Sequence, residues 1–267
     1  MNTLKRLKIY WIVWQTTAKY ALAELLVSRW SSLIFFVGKG TRFAMTLLFL
    51  LLLQHNLAGI GGYTTSQVIV FFLTYQFTDN ITQMFFRGVY TFSWEVRSGE
   101  LDFYLSKPLN PLFRILTGKP DFIDAAFFLP TTLFSIRLLT TLHLHITPIS
   151  LLTYFFLLIN TFLIAAAFHI FVICIGILTT EVDNIIMLYR DATALSRFPI
   201  DVYREPLRTI LFFVIPVGLM NTLPAQFLLN LKPTTTILLS FAIGIGFFLL
   251  SLWTWRLSLQ KYTSAGG

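Results

Sequence analysis

The sequence predicts an all-α polytopic membrane protein with about six transmembrane helices, an N-terminal interfacial amphipathic helix and a helical cytoplasmic loop. Two observations indicate this class. Only 12% of the residues are charged and 56% are hydrophobic, with a mean hydropathy of +0.73, whereas soluble domains contain about 25% charged residues. Four stretches lack charged residues and are long enough to cross a bilayer, which takes about 20 apolar residues: 43–78, 138–180, 209–231 and 233–255.

Residues 1–30 are predicted to form an amphipathic helix in the membrane interface. Hydrophobic side chains recur at steps of three and four residues, which places them on one helical face: Leu4, Leu7, Trp11, Trp14, Ala18, Ala21 and Leu25. Four polar side chains lie off this face: Lys5, Lys8, Gln15 and Lys19. A basic helix with tryptophan on its apolar side is typical of interfacial helices. A cleaved signal peptide is not expected, because the apolar run 9–14 is too short for one.

Six hydrophobic segments are predicted to span the membrane: about 32–53, 66–88, 122–142, 149–178, 207–229 and 235–256. The fifth contains two prolines and a glycine within 216–224, so one straight helix is not expected there. In an alternative, the fifth span begins near Val182, which leaves Arg190 and Arg197 inside the bundle. All six segments are assigned to one domain, residues 1–267.

The distribution of Lys and Arg predicts the orientation, because cytoplasmic loops carry an excess of these residues. Nearly all of them lie in the N-terminal segment, in 89–121, in 181–208 and after the last span, while the alternate loops hold only Lys232. Both termini are therefore predicted to be cytoplasmic. The net charge of +8 is assigned to this orientation and not to nucleic-acid binding.

Known catalytic and cofactor motifs do not occur in the sequence. There is no Gly-rich phosphate loop, zinc-protease motif or nucleophile elbow, so we expect no catalytic residue, no metal site and no bound cofactor. If the protein uses ATP, another chain must bind it. His143 and His145 lack further metal ligands nearby and are interpreted as solvated turn residues. The only cysteine, Cys174, is predicted to be a small buried side chain.

Three charged residues in predicted spans are candidate intramembrane sites: Lys39, Arg42 and Asp79. An ionisable side chain within the membrane is costly and indicates an internal partner or a polar pathway. We favour an ion pair between Asp79 and a cation of the first span, because buried charges are usually paired. The alternative is a proton or cation site at Asp79, as in a secondary transporter. An intramembrane enzyme is the least supported possibility.

The segment "GELDFYLSKPLNPLFR" (99–114) is unusually polar for its position between two spans. Gly99 is expected to end one helix, and Asn110 followed by Pro111 to start another. Between them Leu101, Phe103 and Leu105 alternate and predict one apolar face. On composition alone a solvated loop is favoured, but aromatic side chains in water are costly, and a docking surface would account for them.

Three segments resemble the permease subunits of type-2 ATP-binding-cassette (ABC) exporters, in the six-span branch whose chains are about as long as this one. They are "SGELDFYLSKPLNPLFR", "RFPIDVYREPLRTILFFVIPVGLMNTLPAQFLL" and "KYTSAGG". The resemblance implies an export permease in the inner (plasma) membrane of a prokaryote. It also implies two ABC ATP-binding subunits, which bind ATP and Mg, and a second permease subunit, identical or paralogous. Type-2 permeases usually have a re-entrant hairpin near the outer face between the last two spans, and the element 207–229 is the candidate for it here. The cargo is not implied.

In such exporters the interfacial helix and the first cytoplasmic loop contact the ATP-binding subunit. The resemblance assigns these roles to 5–29 and to the loop 94–114. Within the loop, the candidate coupling residues are Glu95, Arg97, Gly99, Glu100, Asp102, Lys107, Pro108, Pro111 and Arg114.

Overall fold

The computed structural model describes residues 3–56, 59–179 and 182–263, and this part of the chain contains no β-strand. Residues 180, 181 and 264–267 lie outside it, and the last four belong to the segment "KYTSAGG". The main helices are α1 (Thr3–Val27), α2 (Arg29–Asn56), α3 (Thr65–Phe86), α4 (Phe92–Arg97), α5 (Glu100–Ser106), α6 (Pro111–Thr117), α7 (Phe122–Thr141), α8 (Pro148–Thr179) and α9 (Asp183–Leu195). Two short helices, α10 (Leu207–Thr209) and α11 (Leu223–Leu228), and a long one, α12 (Thr235–Gln260), complete the chain.

The predicted all-α membrane architecture is confirmed. Among the described residues, four helical segments are long and apolar enough to cross a membrane: Arg29–Leu52, Phe122–Thr141, Pro148–Thr179 and Thr235–Gln260. They correspond to the first, third, fourth and sixth predicted spans. The second predicted span is α3, which is more polar because other helices enclose most of it. Its interior residues hydrogen-bond to one another and to α7, as in the pair of bonds Gln76 to Asn80 and Asn80 to Thr131.

The chain between Val182 and Asp201 runs from one end of the bundle to the other. Val182 is buried among the helices that follow α3. At the opposite end, the Asp201 carboxylate accepts a hydrogen bond of 2.8 Å from the hydroxyl of Tyr63, which lies just before α3. Helix α9 and a short 3₁₀ turn, Ile200–Val202, make up most of this passage. This path agrees with the alternative in which the fifth span begins near Val182.

Residues 207–228 form a bent hairpin. Its first arm is α10 with the π-helical turn Ile210–Val214, and its second arm is the π-helical turn Gly218–Thr222 with α11; the arms meet at an angle of 76°. Pro216 lies between them and cannot donate a backbone hydrogen bond.

Both ends of the hairpin lie at the same end of the bundle. Arg208 is 3.6 Å from Asp201 at the start, and just after the end Asn230 donates a 3.0 Å hydrogen bond to the carbonyl of His145. The contacts therefore favour a re-entrant hairpin over the single broken span expected at 207–229. By length and composition alone, the described part of the chain holds four spans, or five if the bent pair is one; the count of six needs α3 and α9.

Among the described helices, α8 and α12 make the most extensive contact with each other. The buried Asn160 side chain donates to the carbonyl and hydroxyl of Ser240, at 3.0 and 2.8 Å. One turn further along α12, a Cβ atom on Gly244 would lie 1.9 Å from the Asn160 side-chain oxygen. Small residues allow membrane helices to approach closely and to hydrogen-bond across the contact. Gly244 is therefore required for this packing.

Replacing Gly244 with Ala is expected to destabilise the protein by about 1–3 kcal/mol, the usual cost of overpacking. Asn160 cannot turn away from the new methyl group without losing its bonds to Ser240. Thermal unfolding of the detergent-solubilised protein measures the effect. Gly246→Ala is the matched control, because a Cβ there has no heavy atom within 4 Å.

In an Asn160→Ala background the Cβ of Ala at position 244 meets no side-chain amide. Gly244→Ala should then cost much less than in the natural chain. An equal cost in both backgrounds would contradict the proposed contact.

Candidate functional site

The loop between α3 and α7 is helical, as predicted, and its boundaries follow from three residues. Gly99 adopts a left-handed conformation with φ of 75° between α4 and α5, which favours glycine. The Asn110 side chain accepts a 2.9 Å hydrogen bond from the backbone of Leu112, and Pro111 occupies the first turn of α6. The predicted helix break and helix start are both confirmed.

The loop helices pack against the transmembrane helices. Loop residues, among them Leu101, Leu112 and Ile115, share one buried hydrophobic cluster with α8, α9 and Trp255 of α12. Cys174 lies in the same cluster and is buried, as expected of a small apolar side chain. The loop is therefore a docked part of the bundle and not a solvated connector.

The alternation of apolar residues in α5 does not produce one apolar face. Because the segment is a helix with 3.6 residues per turn, Phe103 lies off the face of the fully buried Leu101 and is 66% exposed. Leu105 shares the face of Leu101 but lies at the end of α5 and is 38% exposed. The expectation of a single face was wrong for this reason. Trp94 of α4 is also exposed, at 59%. Large apolar side chains thus lie on the outer surface of the loop.

Glu95 lies inside the loop and not on its surface. Its carboxylate is buried and forms an ion pair of 2.7 Å with Lys119, whose side chain is 40% exposed. Burial raises the pKa of Glu95, and the nearby Lys119 opposes the increase. Glu95 therefore stabilises the loop, and the surface role expected for it would require exposure that it does not have.

The other predicted coupling residues are exposed or half-buried. Arg97, Lys107 and Pro108 are exposed. Glu100 accepts a 3.3 Å hydrogen bond from the Tyr104 hydroxyl, and the Arg114 guanidinium donates a 3.1 Å bond to the Gly118 carbonyl.

Asp102 lies close to the segment that follows α12. Burial raises the pKa of Tyr262, and the carboxylate of Asp102 raises it further. Residues after the last span thus contact the loop, a proximity that the sequence does not predict.

The N-terminal helix contacts the loop through one residue. The Tyr10 hydroxyl accepts a 2.9 Å hydrogen bond from the backbone N–H of Asn110, and its ring packs edge-to-face on Phe113 with centroids 4.9 Å apart. Tyr10 lies off the predicted apolar stripe, so this contact could not be predicted from the sequence. Leu4 and Trp11 of the stripe are 72% and 57% exposed, and they are free to contact lipid.

The predicted ion pair at Asp79 is not formed. Lys39 pairs instead with the buried Asp124, at the start of α7. Neither Arg42 nor any other described cation forms an ion pair with Asp79. The segment "PDFIDAAFF" places two acids at the beginning of the third span, which is the signal that could have identified Asp124.

Asp79 faces a cavity of about 180 Å³ between α2, α3 and α9. Its lining includes five cations: Lys39, Arg42, Arg87, Arg190 and Arg197. The acidic side chains of the lining are Asp79 and Asp191. The structure thus brings all three predicted intramembrane residues together, and adds the two arginines that the alternative fifth span places inside the bundle.

Comparison with known proteins identifies one family. A family model described as "ABC-2 family transporter protein" matches residues 41–266. The match covers all the described spans except the beginning of α2, and α1 lies outside it. No curated protein and no solved structure matches the chain.

Replacing Lys119 with Met is expected to destabilise the protein more than replacing Glu95 with Gln. The first change leaves a buried carboxylate without a counterion, whereas the second leaves a partly exposed ammonium that water can solvate. The difference should be about 1–3 kcal/mol, the cost of an unsatisfied buried polar group. Thermal unfolding of the two purified variants measures it.

The pH dependence distinguishes this explanation from a simple packing defect. Because burial raises the pKa of Glu95, protonation at low pH removes the buried charge. The destabilisation by Lys119→Met should therefore shrink as the pH falls and grow as it rises. A loss of stability that is constant over pH would contradict the role of Glu95.

Proposed function

The chain belongs to the ABC-2 family of transporter proteins, and from this membership we propose that it is the permease subunit of an ATP-driven exporter. The match over residues 41–266 is the observation that carries the proposal. As a multi-pass membrane component it forms the substrate pathway, and ATP is hydrolysed by separate subunits that bind ATP and Mg. The chain itself is not catalytic in this proposal and holds no cofactor.

The assembly proposed is a dimer of permeases with two ATP-binding subunits. The second permease is a second copy of this chain or a paralogue. The whole chain, 1–267, acts as one permease domain in the inner membrane of a prokaryote, with both termini in the cytoplasm. Most Lys and Arg residues lie at the end of the bundle that holds the loop helices, which supports this orientation, whereas Arg208 lies at the opposite end beside Asp201.

The ATP-binding subunit is proposed to contact the loop helices and α1. The loop helices expose two aromatic side chains, Phe103 and Trp94, together with the charged Arg97, and apolar anchors with polar neighbours are typical of protein interfaces. The contact of Tyr10 with α6 joins α1 to the same unit.

Movement of the loop would pass directly to the spans. Leu101 and Ile115 of the loop share a buried cluster with Ile173 of α8, Ile186 of α9 and Trp255 of α12. Close-packed clusters of this kind transmit displacement because they are not readily compressed. A push on the loop by the closing ATP-binding subunits would therefore shift these three helices together.

A secondary transporter that uses Asp79 as a proton or cation site is not favoured. Family membership supports an ABC permease. The cavity also disfavours a cation at Asp79, because Arg42, Arg190 and Arg197 line it beside the carboxylate.

Replacing Phe103 with Ala is expected to reduce capture of the ATP-binding subunit and ATP-driven transport, by about tenfold or more. Truncating a side chain that is a hot spot of an interface costs about 2 kcal/mol or more, which is more than tenfold in affinity. Co-purification with the tagged permease and transport in reconstituted vesicles measure the two effects. Leu129→Ala on α7 serves as the control, because Leu129 is 62% exposed and lies outside the loop.

Both readouts should fall together in the Phe103 variant and stay unchanged in the Leu129 variant. Unchanged capture and transport would exclude Phe103 from the interface. Purification of the natural chain without any ATP-binding subunit, with transport that persists when ATP is removed, would exclude the ABC permease itself.

A further inference from the structure

We propose that the cavity between α2, α3 and α9 binds an oxyanion head group, of the phosphate type, carried by an amphiphilic molecule. This inference rests on the proposed function, because it identifies the site as the place where an export cargo enters the bundle. Charged side chains line the cavity, neighbouring acids neutralise some of them, and apolar side chains lie at its rim.

Two of the five lining cations are compensated by neighbouring acids. Lys39 forms its ion pair with Asp124. Arg87 lies 3.8 Å from the Asp121 carboxylate and donates a 3.2 Å hydrogen bond to the side-chain oxygen of Gln83. Neither side chain needs a ligand to balance its charge.

The other three cations, Arg42, Arg190 and Arg197, form no ion pair with any described residue. Arg197 lies over the ring of Tyr75, at 5.2 Å, and Arg190 lies 6.0 Å from the ring centre of Tyr90. Aromatic faces orient a guanidinium group and stabilise it without neutralising its charge. Both arginines therefore keep their charge and are held in place.

The acids of the cavity do not balance these three arginines. Asp79 is the inner carboxylate, and Asp191 is exposed. With Lys39 and Arg87 compensated, three cations face these two acids, which leaves a net positive charge. Unbalanced charge within a membrane bundle is costly, and an anion that accepts hydrogen bonds from two guanidinium groups would remove the cost.

The rim of the cavity is open and partly apolar, which favours an amphiphile over a free ion. Arg42 is exposed at the rim, and Met45, one turn along α2, is 67% exposed. On α9, Met187 lines the cavity and is 54% exposed, and its neighbour Leu188 is 57% exposed. A head group in the cavity would leave its apolar chain lying against α2 and α9.

Binding of a short-chain phosphatidic acid to the purified full-length protein in a neutral detergent tests the proposal. Titration calorimetry should detect binding of this lipid and not of the diacylglycerol with the same chains. The double variant Arg190→Gln with Arg197→Gln should weaken binding by about tenfold or more, because it removes charge-assisted hydrogen bonds to the head group. Arg137→Gln on α7, an exposed arginine outside the cavity, should have no effect.

Competition with inorganic phosphate distinguishes the two sources of the oxyanion. Displacement of the lipid by inorganic phosphate would show that the head group alone suffices, and failure of inorganic phosphate to compete would support an amphiphile. Equal binding of phosphatidic acid and diacylglycerol, or equal binding by the natural chain and the double variant, would overturn the proposal.

A second measurement keeps the test decisive if the double variant does not fold. Binding to the natural chain should weaken as the ionic strength rises, because salt screens the guanidinium groups; binding that is independent of salt would overturn the proposal. Capture of the ATP-binding subunit is a separate readout. If the protein does not bind the anion but still captures the ATP-binding subunit, the proposed permease function stands and only the assignment of the cargo is overturned.

Discussion

The rest of the bundle depends on the requirement that polar backbone groups inside a membrane protein find partners within the protein. The hairpin 207–228 contains irregular turns, and Thr161 of α8 donates a 2.7 Å hydrogen bond to its backbone at the carbonyl of Met220. Side chains of the hairpin in turn bond to the chain before it. The hydroxyl of Thr222 accepts a 3.1 Å bond from the backbone of Ile200, and the Asn221 side chain donates to the hydroxyl of Ser196 at 2.6 Å. Polar residues of the interior therefore satisfy backbone groups both in the hairpin and in the passage 196–200.

The same requirement explains why α3 is less apolar than the other spans. It lies at the centre of the bundle, and Thr78 contacts the side chain of Asn221 in the hairpin while Asn80 donates to Thr131 of α7. A helix that faces protein on most sides has no need of a lipid-compatible surface. Its polar residues instead connect the hairpin to the third span, and Asp79 is left facing the cavity.

Much of the fold could be predicted from the sequence, because the signals are local. Apolar length gave the long spans, and the residues Gly99, Asn110 and Pro111 gave the helix ends in the loop. The long-range pairings were not predictable. Lys39 could pair with Asp79 or with Asp124 by charge alone, and only the packing of α2 against α7 decides between them. The position of the fifth span stayed open between 207–229 and a start near Val182, because α9 is short and carries Arg190, so its hydropathy does not resemble that of a span.

The hydrogen bonds that join α8 to α12 limit how the bundle can change shape. Asn160 and Gly244 hold the two helices so closely that sliding one past the other would break buried bonds. Within the membrane-spanning stretch of α8, 61% of the residues are buried, whereas only 11% are buried in that of α2. During a transport cycle α8 and α12 would thus move together as one unit, whereas α2, the least buried of the four long apolar spans, is less restrained by packing. Reorientation of α2 would open or close one wall of the cavity between α2, α3 and α9 without changing the packing of α8 against α12.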